Sequence, residues 1–242
     1  MGHDPNSGNF RMYCVIIILV FLLLLAFFVW ASADVGSQVW LKTFCKVDTE
    51  RKMIALTFDD GPDVMTEKVL DVLERHNAKA TFFLIGSKIS GREHVVQRMI
   101  EGGHAVGNHS WSHSGAFPFY NATKMSDELV RTSDAIERVT GLKPLLFRPP
   151  FGVTDPTIGK VVKRLGLKAV GWNIRSLDTI AATPRRNVAD KVIGKLTPGG
   201  IILLHDRCDE ADKLLEMLLN HLDSEGYACV TVDEMLQIDA YE

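Results

Sequence analysis

Closely spaced cysteine pairs and runs of basic residues are both missing from this chain of 242 residues. The four cysteines are far apart, so neither a disulfide framework nor a thiolate zinc site is predicted. The 27 basic and 30 acidic residues leave a net charge of -3, which gives no electrostatic basis for binding nucleic acid. No internal repeat or low-complexity segment is present. A hydrophobic content of 46% fits one globular domain plus an extra segment.

One long apolar run breaks this ordinary composition, from Cys14 to Ala31. A membrane span needs about 17–25 apolar residues, whereas the core of a signal peptide needs about 7–15. Arg11 before the run and Asp34 after it favour a cytoplasmic N-terminus and an exported body. Residues 1–34 are therefore predicted to be a membrane anchor or a signal segment. The length favours an uncleaved anchor, while Ala31-Ser32-Ala33 leaves open a cleaved, secreted form.

After this run, residues 35–51 are predicted to be a juxtamembrane linker, and residues 52–242 a single domain in which strand-like and helix-like segments alternate. Such alternation indicates a mainly parallel sheet flanked by helices. The seven predicted strands are Met53–Phe58, Ala80–Ile85, His104–Gly107, Leu145–Phe147, Lys168–Ile174, Ile201–Leu204 and Tyr227–Val232.

Polar clusters follow five of these strands. They are Thr57–Asp60, Asn108–His113, Arg148–Gly152, Ser176–Asp178 and Leu203–Asp206. A doubly wound open sheet serves its ligand from a few strands at a switch point, whereas a (β/α) barrel brings every strand end around one mouth. Because five strands contribute polar residues to one site, the barrel is favoured. With about seven parallel strands instead of eight, we expect it to be distorted or incomplete, preceded by the N-terminal hydrophobic helix.

A metal site is predicted from two histidines and a pair of aspartates. His109 and His113 are four positions apart, so one helical turn would place both rings on the same face. Isolated pairs with this spacing are commonly surface residues, but Asp59 and Asp60 follow a strand of the same sheet. Adjacent carboxylates at the end of an apolar strand are costly without a cation or donor partner, although a turn is the alternative explanation. Two imidazoles and one carboxylate make an open site for a divalent metal, zinc in particular.

Three more polar residues end neighbouring strands. His205 directly follows an apolar strand and is equally compatible with a structural and a catalytic role. Asp178 and Arg148 are placed so that they can pair with catalytic groups and set their protonation states.

Four of these motifs occur in a fixed order: T-F-D-D-G-P, N-H-S-W-S-H, R-P-P-F-G and L-L-H-D. From about Lys52 to the C-terminus the chain closely resembles the NodB-homology polysaccharide deacetylases, carbohydrate esterase family four. The resemblance implies a metal-dependent hydrolase that removes N-acetyl groups from an N-acetylhexosamine-containing glycan of the cell envelope, such as peptidoglycan or a chitin-like polymer. The expected partners are thus an acetylated glycan and, through the N-terminal helix, a membrane.

The same resemblance implies roles for nine residues. Asp59 would be the general base, oriented by Arg148, and Asp60, His109 and His113 would be the metal ligands. His205 would be the general acid, and Asp178 would tune its protonation. The backbone N–H of Phe151 would donate to the oxyanion, and Leu203 would contact the acetyl methyl group.

One motif departs from the family pattern. Where relatives often have D-S-x-D-W, this chain has Arg175 in place of the first aspartate and Thr179 in place of the tryptophan. The departure bears on the choice of substrate more than on catalysis. Independently of this motif, two alternatives stay open: removal of O-acetyl groups, as from acetylated xylan, and a non-catalytic glycan-binding protein of the envelope on the same scaffold.

Overall fold

A computed structural model describes residues 6–242, with side chains described from Arg11 onward. The helices are α1 (Asn6–Ala33), α2 (Thr66–Arg75), α3 (Glu93–Glu101), α4 (Ala122–Thr140), α5 (Pro156–Arg164), α6 (Arg185–Ile193), α7 (Ala211–Ser224) and α8 (Val232–Leu236). Helix α1 contains a stretch, Arg11–Ala33, that is long and apolar enough to cross a membrane, with a mean hydropathy of 3.3. Only 6% of its most apolar window is buried, so most of α1 stands clear of the domain.

One sheet runs through the domain. Its strands are β1 (Thr43–Phe44), β2 (Met53–Gly61), β3 (Ala80–Leu84), β4 (Ala105–Asn108), β5 (Leu146–Phe147), β6 (Lys168–Val170), β7 (Ile174–Arg175), β8 (Gly200–His205) and β9 (Ala228–Cys229). Eight of them follow the order β1-β6-β5-β4-β3-β2-β8-β7, and β9 pairs with β2. All these pairings are parallel. The curled, incomplete barrel predicted from the sequence is confirmed.

Strand β2 is an interior strand of this sheet, between β3 and β8, and its sequence explains that position. Ile54, Ala55, Leu56 and Phe58 are fully or almost fully buried, so both faces of the strand are covered. A strand that is buried on both faces is apolar throughout instead of alternating. Helices α2 to α7 each bury one apolar stripe, as in α7, whose buried leucines repeat at steps of three and four. The C-terminal end of β2 is thereby enclosed on both faces.

The strand count differs from the prediction at two places. The predicted strand Lys168–Ile174 is interrupted and forms both β6 and β7. In addition, β1 lies within the segment 35–51 that was predicted to be a linker, and it pairs with β6 at the edge of the sheet. A Cβ on Gly159 of helix α5 would collide with the carbonyl of Trp40, so this segment packs closely on the domain.

Candidate active site

The two adjacent aspartates lie at the end of β2, which runs past its predicted end at Phe58 as far as Gly61. Asp60 has a φ of 74°, in the left-handed region that L-residues seldom adopt. The pairing between β2 and β3 shifts register between Asp59 and Gly61, as at a β-bulge. This irregularity lets two consecutive side chains line the same cavity, instead of pointing to opposite faces of the sheet.

The two histidines lie in the loop after β4, and the expectation that one helical turn joins them is wrong. Residues 109–113 are not helical, and both Ser110 (φ 65°) and His113 (φ 46°) have left-handed backbones. The loop is held by its own polar contacts, since the N–H of His113 donates to Ser110 Oγ at 3.1 Å. The ring centroids of His109 and His113 still lie only 4.7 Å apart. The two rings are therefore close together, as predicted, but a non-helical loop brings them there.

Asp60, His109 and His113 together form a set of potential metal ligands. One donor atom from each lies within 4.8 Å of the others. Asp60 Oδ1 is 3.6 Å from His109 Nε2 and 3.5 Å from His113 Nε2, and this buried oxygen has no hydrogen-bond partner among the described residues. The other ring nitrogen of His109 pairs with the carbonyl of Arg148 at 2.8 Å, which orients the ring. An unpartnered buried oxygen facing two imidazoles fits a divalent cation.

The protonation states of Asp60 and His113 favour metal binding. Burial raises the pKa of Asp60, but His109 and a hydrogen bond from Arg207 outweigh it and bring the pKa down to about 2. Burial, together with the neighbouring His109, lowers the pKa of His113 to about 4. At neutral pH the aspartate is therefore ionised and the His113 ring neutral, as metal ligands must be.

Arg148 directly follows β5 and is fully buried beneath the aspartates. Its Nη1 donates to Asp59 Oδ1 at 2.8 Å and to Thr57 Oγ1 at 2.7 Å, while Nη2 donates to the Gly171 carbonyl at 2.8 Å. Burial lowers the pKa of Arg148, and the charge of Asp59 opposes that shift. The guanidinium thus fixes the position of Asp59 from the side opposite the cavity.

His205 ends β8 and is held by Asp178. Its Nδ1 pairs with Asp178 Oδ1 at 2.8 Å, and its backbone N–H donates to Asp178 Oδ2 at 2.7 Å. Burial lowers the pKa of His205, but the hydrogen bond and charge of Asp178 outweigh burial, and the pKa is raised from its ordinary value. Because Nδ1 faces Asp178, Nε2 remains available to the cavity.

The cavity has a volume of about 190 Å³. Seven of the nine residues predicted to form the site line it: Asp59, Asp60, His109, His113, Phe151, Leu203 and His205. The other two, Arg148 and Asp178, lie behind the lining and contact Asp59 and His205. The ring of Phe151 lies 4.5 Å from that of His113. The structure therefore brings all nine together.

Two further residues of the cavity were missed in the sequence. Arg207 Nε donates to Asp60 Oδ2 at 2.6 Å, which leaves Oδ1 as the free oxygen of that carboxylate. Trp172 lines the cavity from the loop after β6 and occupies the space that a Cβ at Gly152 would need. The one sequence signal that could have identified Arg207 as a site residue was its position two residues after the end of a strand. Arg175 and Thr179, the two departures from the family motif, also line the cavity.

Comparisons with known proteins identify the family of this chain. The family model described as "Polysaccharide deacetylase" matches residues 46–170, about half of the chain. The chain is 38% identical over 215 residues to the peptidoglycan-N-acetylglucosamine deacetylase PgdA of Listeria monocytogenes, a match that covers 84% of this chain and 44% of that protein. The chain thus spans less than half the length of that curated relative.

Two solved structures have the same fold. The Bc1960 peptidoglycan N-acetylglucosamine deacetylase superposes with a TM-score of 0.78 at 28% identity, over 89% of this chain and 99% of that one. A family 4 acetyl xylan esterase from Clostridium thermocellum, solved with a cobalt ion, has a TM-score of 0.73 at 35% identity, over 78% and 94% of the two chains. The motifs, the curled parallel sheet and the family match lead to one conclusion: this chain belongs to the polysaccharide deacetylase family.

Proposed function

We propose that this protein is a metal-dependent hydrolase that removes N-acetyl groups from an N-acetylhexosamine-containing glycan of the cell envelope, such as peptidoglycan. The observation that carries the proposal is the buried Oδ1 of Asp60, which has no hydrogen-bond partner within the described part of the chain and faces two imidazoles. Asp59, held by Arg148, and His205, held by Asp178, line the same cavity. This combination supplies a cation site, a base and an acid within one small pocket.

The cation would be held by Asp60, His109 and His113. Two imidazole nitrogens and one carboxylate oxygen match the open three-ligand sites that zinc occupies in hydrolases. When bound, such a cation supplies Lewis-acid polarisation of water and of an acyl oxygen. Arg207 and the Arg148 carbonyl, which contact Asp60 and His109, keep these ligands in position.

Asp59 acts as the general base. Its Oδ1 is occupied by Arg148, so Oδ2, 3.6 Å from His109 Nε2, is the oxygen directed towards the ligand set. A carboxylate at that place can accept the proton of an attacking water. Since the guanidinium fixes its orientation, the base needs no rearrangement during the reaction.

His205 acts as the general acid. An amine leaves an amide carbon only when its nitrogen is protonated, and the pKa of His205, raised by Asp178, keeps a larger fraction of the imidazole charged near neutral pH. Nε2 then donates the proton as the carbon–nitrogen bond breaks, giving acetate and a free amino sugar. The backbone N–H of Phe151 is assigned to the acyl oxygen, and Leu203, 4% exposed in the cavity wall, to the acetyl methyl group.

Helix α1 is assigned as a membrane anchor that leaves the catalytic domain on the exported side. The length and hydropathy of Arg11–Ala33 support this assignment. The substrate assignment is supported by the names of the relatives, which include deacetylases of peptidoglycan N-acetylglucosamine and N-acetylmuramic acid. An exported domain would meet such a polymer directly.

Acetate release from a glycan panel tests the proposal. Purified protein is incubated with chitin oligomers, peptidoglycan fragments and acetyl-xylan, with and without a chelator, beside the Asp59→Asn variant. We expect chelator-sensitive release from the N-acetylated glycans that the variant lacks. Release from acetyl-xylan alone would assign the O-deacetylase activity suggested by the esterase structure. No release from any glycan would leave a binding protein.

A further inference from the structure

The end of helix α1 is attached to the loop that forms one wall of the cavity. The backbone N–H of Thr154 donates to the Ser32 carbonyl at 3.0 Å, and Thr154 Oγ1 donates to the Ala31 carbonyl at 3.4 Å. Ala31 is completely buried, and Ser37 Oγ also donates to its carbonyl, at 2.7 Å. These contacts dock the end of α1 on the domain.

This attachment places the cavity close to the membrane surface. Thr154 lies two residues after Gly152, which lines the cavity, and two residues span at most about 7 Å. The polar headgroup layer on each side of a bilayer is about 5–8 Å thick. Trp40, whose ring lies 5.5 Å from Phe28 of the helix, is of the residue type that concentrates at this boundary. The cavity wall is thus held at about the level of the headgroups.

Exposed apolar side chains lie on the same face of the domain. Outside α1, and among residues with described side chains, six large apolar residues are exposed. Four of them are in loops that follow β2, β4, β5 and β7: Val64 (76% exposed), Phe119 (87%), Phe151 (52%) and Ile180 (48%). Because the C-terminal ends of parallel strands meet at one face, these four side chains lie on the face that holds the cavity, and Phe151 also lines the cavity itself. An apolar rim of this kind is suited to contact with a membrane or another apolar partner.

The two observations point to the same partner. The anchor ends on the face that carries the apolar rim, so this face is brought towards the bilayer whenever the helix spans it. We propose that the cavity mouth faces the lipid surface and that the substrate is an acetylated saccharide still attached to a membrane lipid. This inference rests on the proposed deacetylase function and names its substrate class. Tethering the enzyme and its substrate to one surface raises their effective concentration. A wall polymer distant from the membrane would have no such increase in effective concentration.

A helical spacer tests whether activity on the lipid-linked substrate depends on the distance of the cavity from the membrane surface. Seven polar, helix-forming residues inserted between Val29 and Trp30 make about two turns, so they lift the domain by about 10 Å and nearly preserve the direction of the docked residues. The full-length protein is reconstituted in vesicles that carry a lipid-linked N-acetylhexosaminyl saccharide. Acetate release from this substrate is compared with release from the same saccharide cleaved from its lipid.

For the unmodified protein we expect kcat/KM to be at least tenfold higher on the lipid-linked form. The spacer should remove that advantage and leave turnover of the soluble saccharide within twofold. Equal rates on the two forms with the unmodified protein, or full lipid-linked activity with the spacer, would overturn the inference. A protein that releases acetate from neither form would instead contradict the proposed function itself.

A second pair of variants tests the apolar rim. Val64→Asp combined with Ile180→Asp places charges on two rim loops, while Val130→Asp places one on helix α4, where Val130 is 40% exposed. We expect the rim variant to lose at least threefold in lipid-linked turnover and the Val130 control to match the unmodified protein. Soluble turnover should stay unchanged in both. Equal lipid-linked rates for the rim variant and the control would remove the rim from the proposal.

Discussion

Arg148 Nη1 donates to Asp59 Oδ1 at 2.8 Å in an ion pair whose side chains are 0% and 5% exposed. The pair joins the ends of β5 and β2, which are separated in the sheet by β4 and β3. A charged pair withdrawn from water is expensive, and removing one partner is costlier than keeping both. The candidate base is therefore also part of what holds the barrel together.

Arg148→Gln leaves the carboxylate of Asp59 buried without its cation. We expect a loss of about 3–5 kcal/mol in the free energy of unfolding, the cost typical of breaking a buried pair. Urea denaturation followed by circular dichroism measures it. Arg164→Gln, at an exposed arginine of α5, is the control and should stay within about 0.5 kcal/mol of the unmodified protein. Similar stabilities for the two variants would contradict a structural role for the ion pair.

His205→Gln removes the candidate acid without touching the ligand set. We expect kcat for an N-acetylated oligomer to fall by about 10²–10⁴-fold, the usual contribution of general acid catalysis. The metal content, measured by elemental analysis of the purified protein, should remain that of the unmodified protein. A variant that loses metal together with activity would show that His205 acts on the cation site instead of on the leaving group.

The pH profile reports on the pairing of His205 with Asp178. If His205 is the general acid as proposed, only its protonated form is active, so kcat/KM should fall on the alkaline side at a pKa above the ordinary value of 6.5. Asp178→Asn removes the charge that raises this pKa, and the alkaline limb should then move to lower pH. Rates measured from acidic to alkaline pH at low substrate concentration give the comparison. An alkaline limb that stays in place would separate Asp178 from the protonation of His205.

Removal of a single imidazole tests the ligand set. We expect His109→Ala to weaken metal binding by more than the roughly 10–100-fold that loss of an outer-sphere partner costs. Competition with a chromophoric chelator measures the affinity directly, without an activity assay. His94→Ala, at a histidine that is 69% exposed and paired with Glu67, is the control and should leave the affinity unchanged. Equal affinities for the two variants would exclude His109 as a ligand.

Asp206 makes stability depend on pH. Burial raises its pKa to about 7, although Thr66 Oγ1 donates to its Oδ2 at 2.7 Å. Its pKa in the unfolded chain is near 3.8, so between these values the folded state binds more protons and the free energy of unfolding falls as pH rises. Asp206→Asn removes the ionisable group.

Between about pH 4 and pH 8 we expect the unmodified protein to lose on the order of 3 kcal/mol more stability than the Asp206→Asn variant. Chemical denaturation at several pH values measures the difference. Asp239→Asn, at an aspartate whose side chain is 88% exposed, should follow the unmodified protein. Parallel stability curves for the Asp206 variant and the unmodified protein would mean that Asp206 titrates alike in both states.

Much of the site was predictable because its chemistry lies next to strong local signals. Asp59, Asp60 and His205 directly follow apolar runs, and a buried strand can be recognised from such a run alone. Parallel strands then bring their ends to one face, so convergence of these residues followed from topology. The same logic could not find Arg207, since it reaches Asp60 from beyond a strand end through a contact between residues far apart in the chain.

By itself, the sequence determined the curled parallel sheet, the N-terminal apolar helix and the polar residues that end the strands, because these depend on local hydrophobic patterning. Tertiary structure alone decided the left-handed backbone of Asp60, the non-helical loop of His109 and His113, and the pairing of the two-residue strand β1. It also decided the attachment of Ser32 to Thr154. Each of these conformations is unfavourable or undefined in isolation and is stabilised only by contacts with segments distant in the sequence.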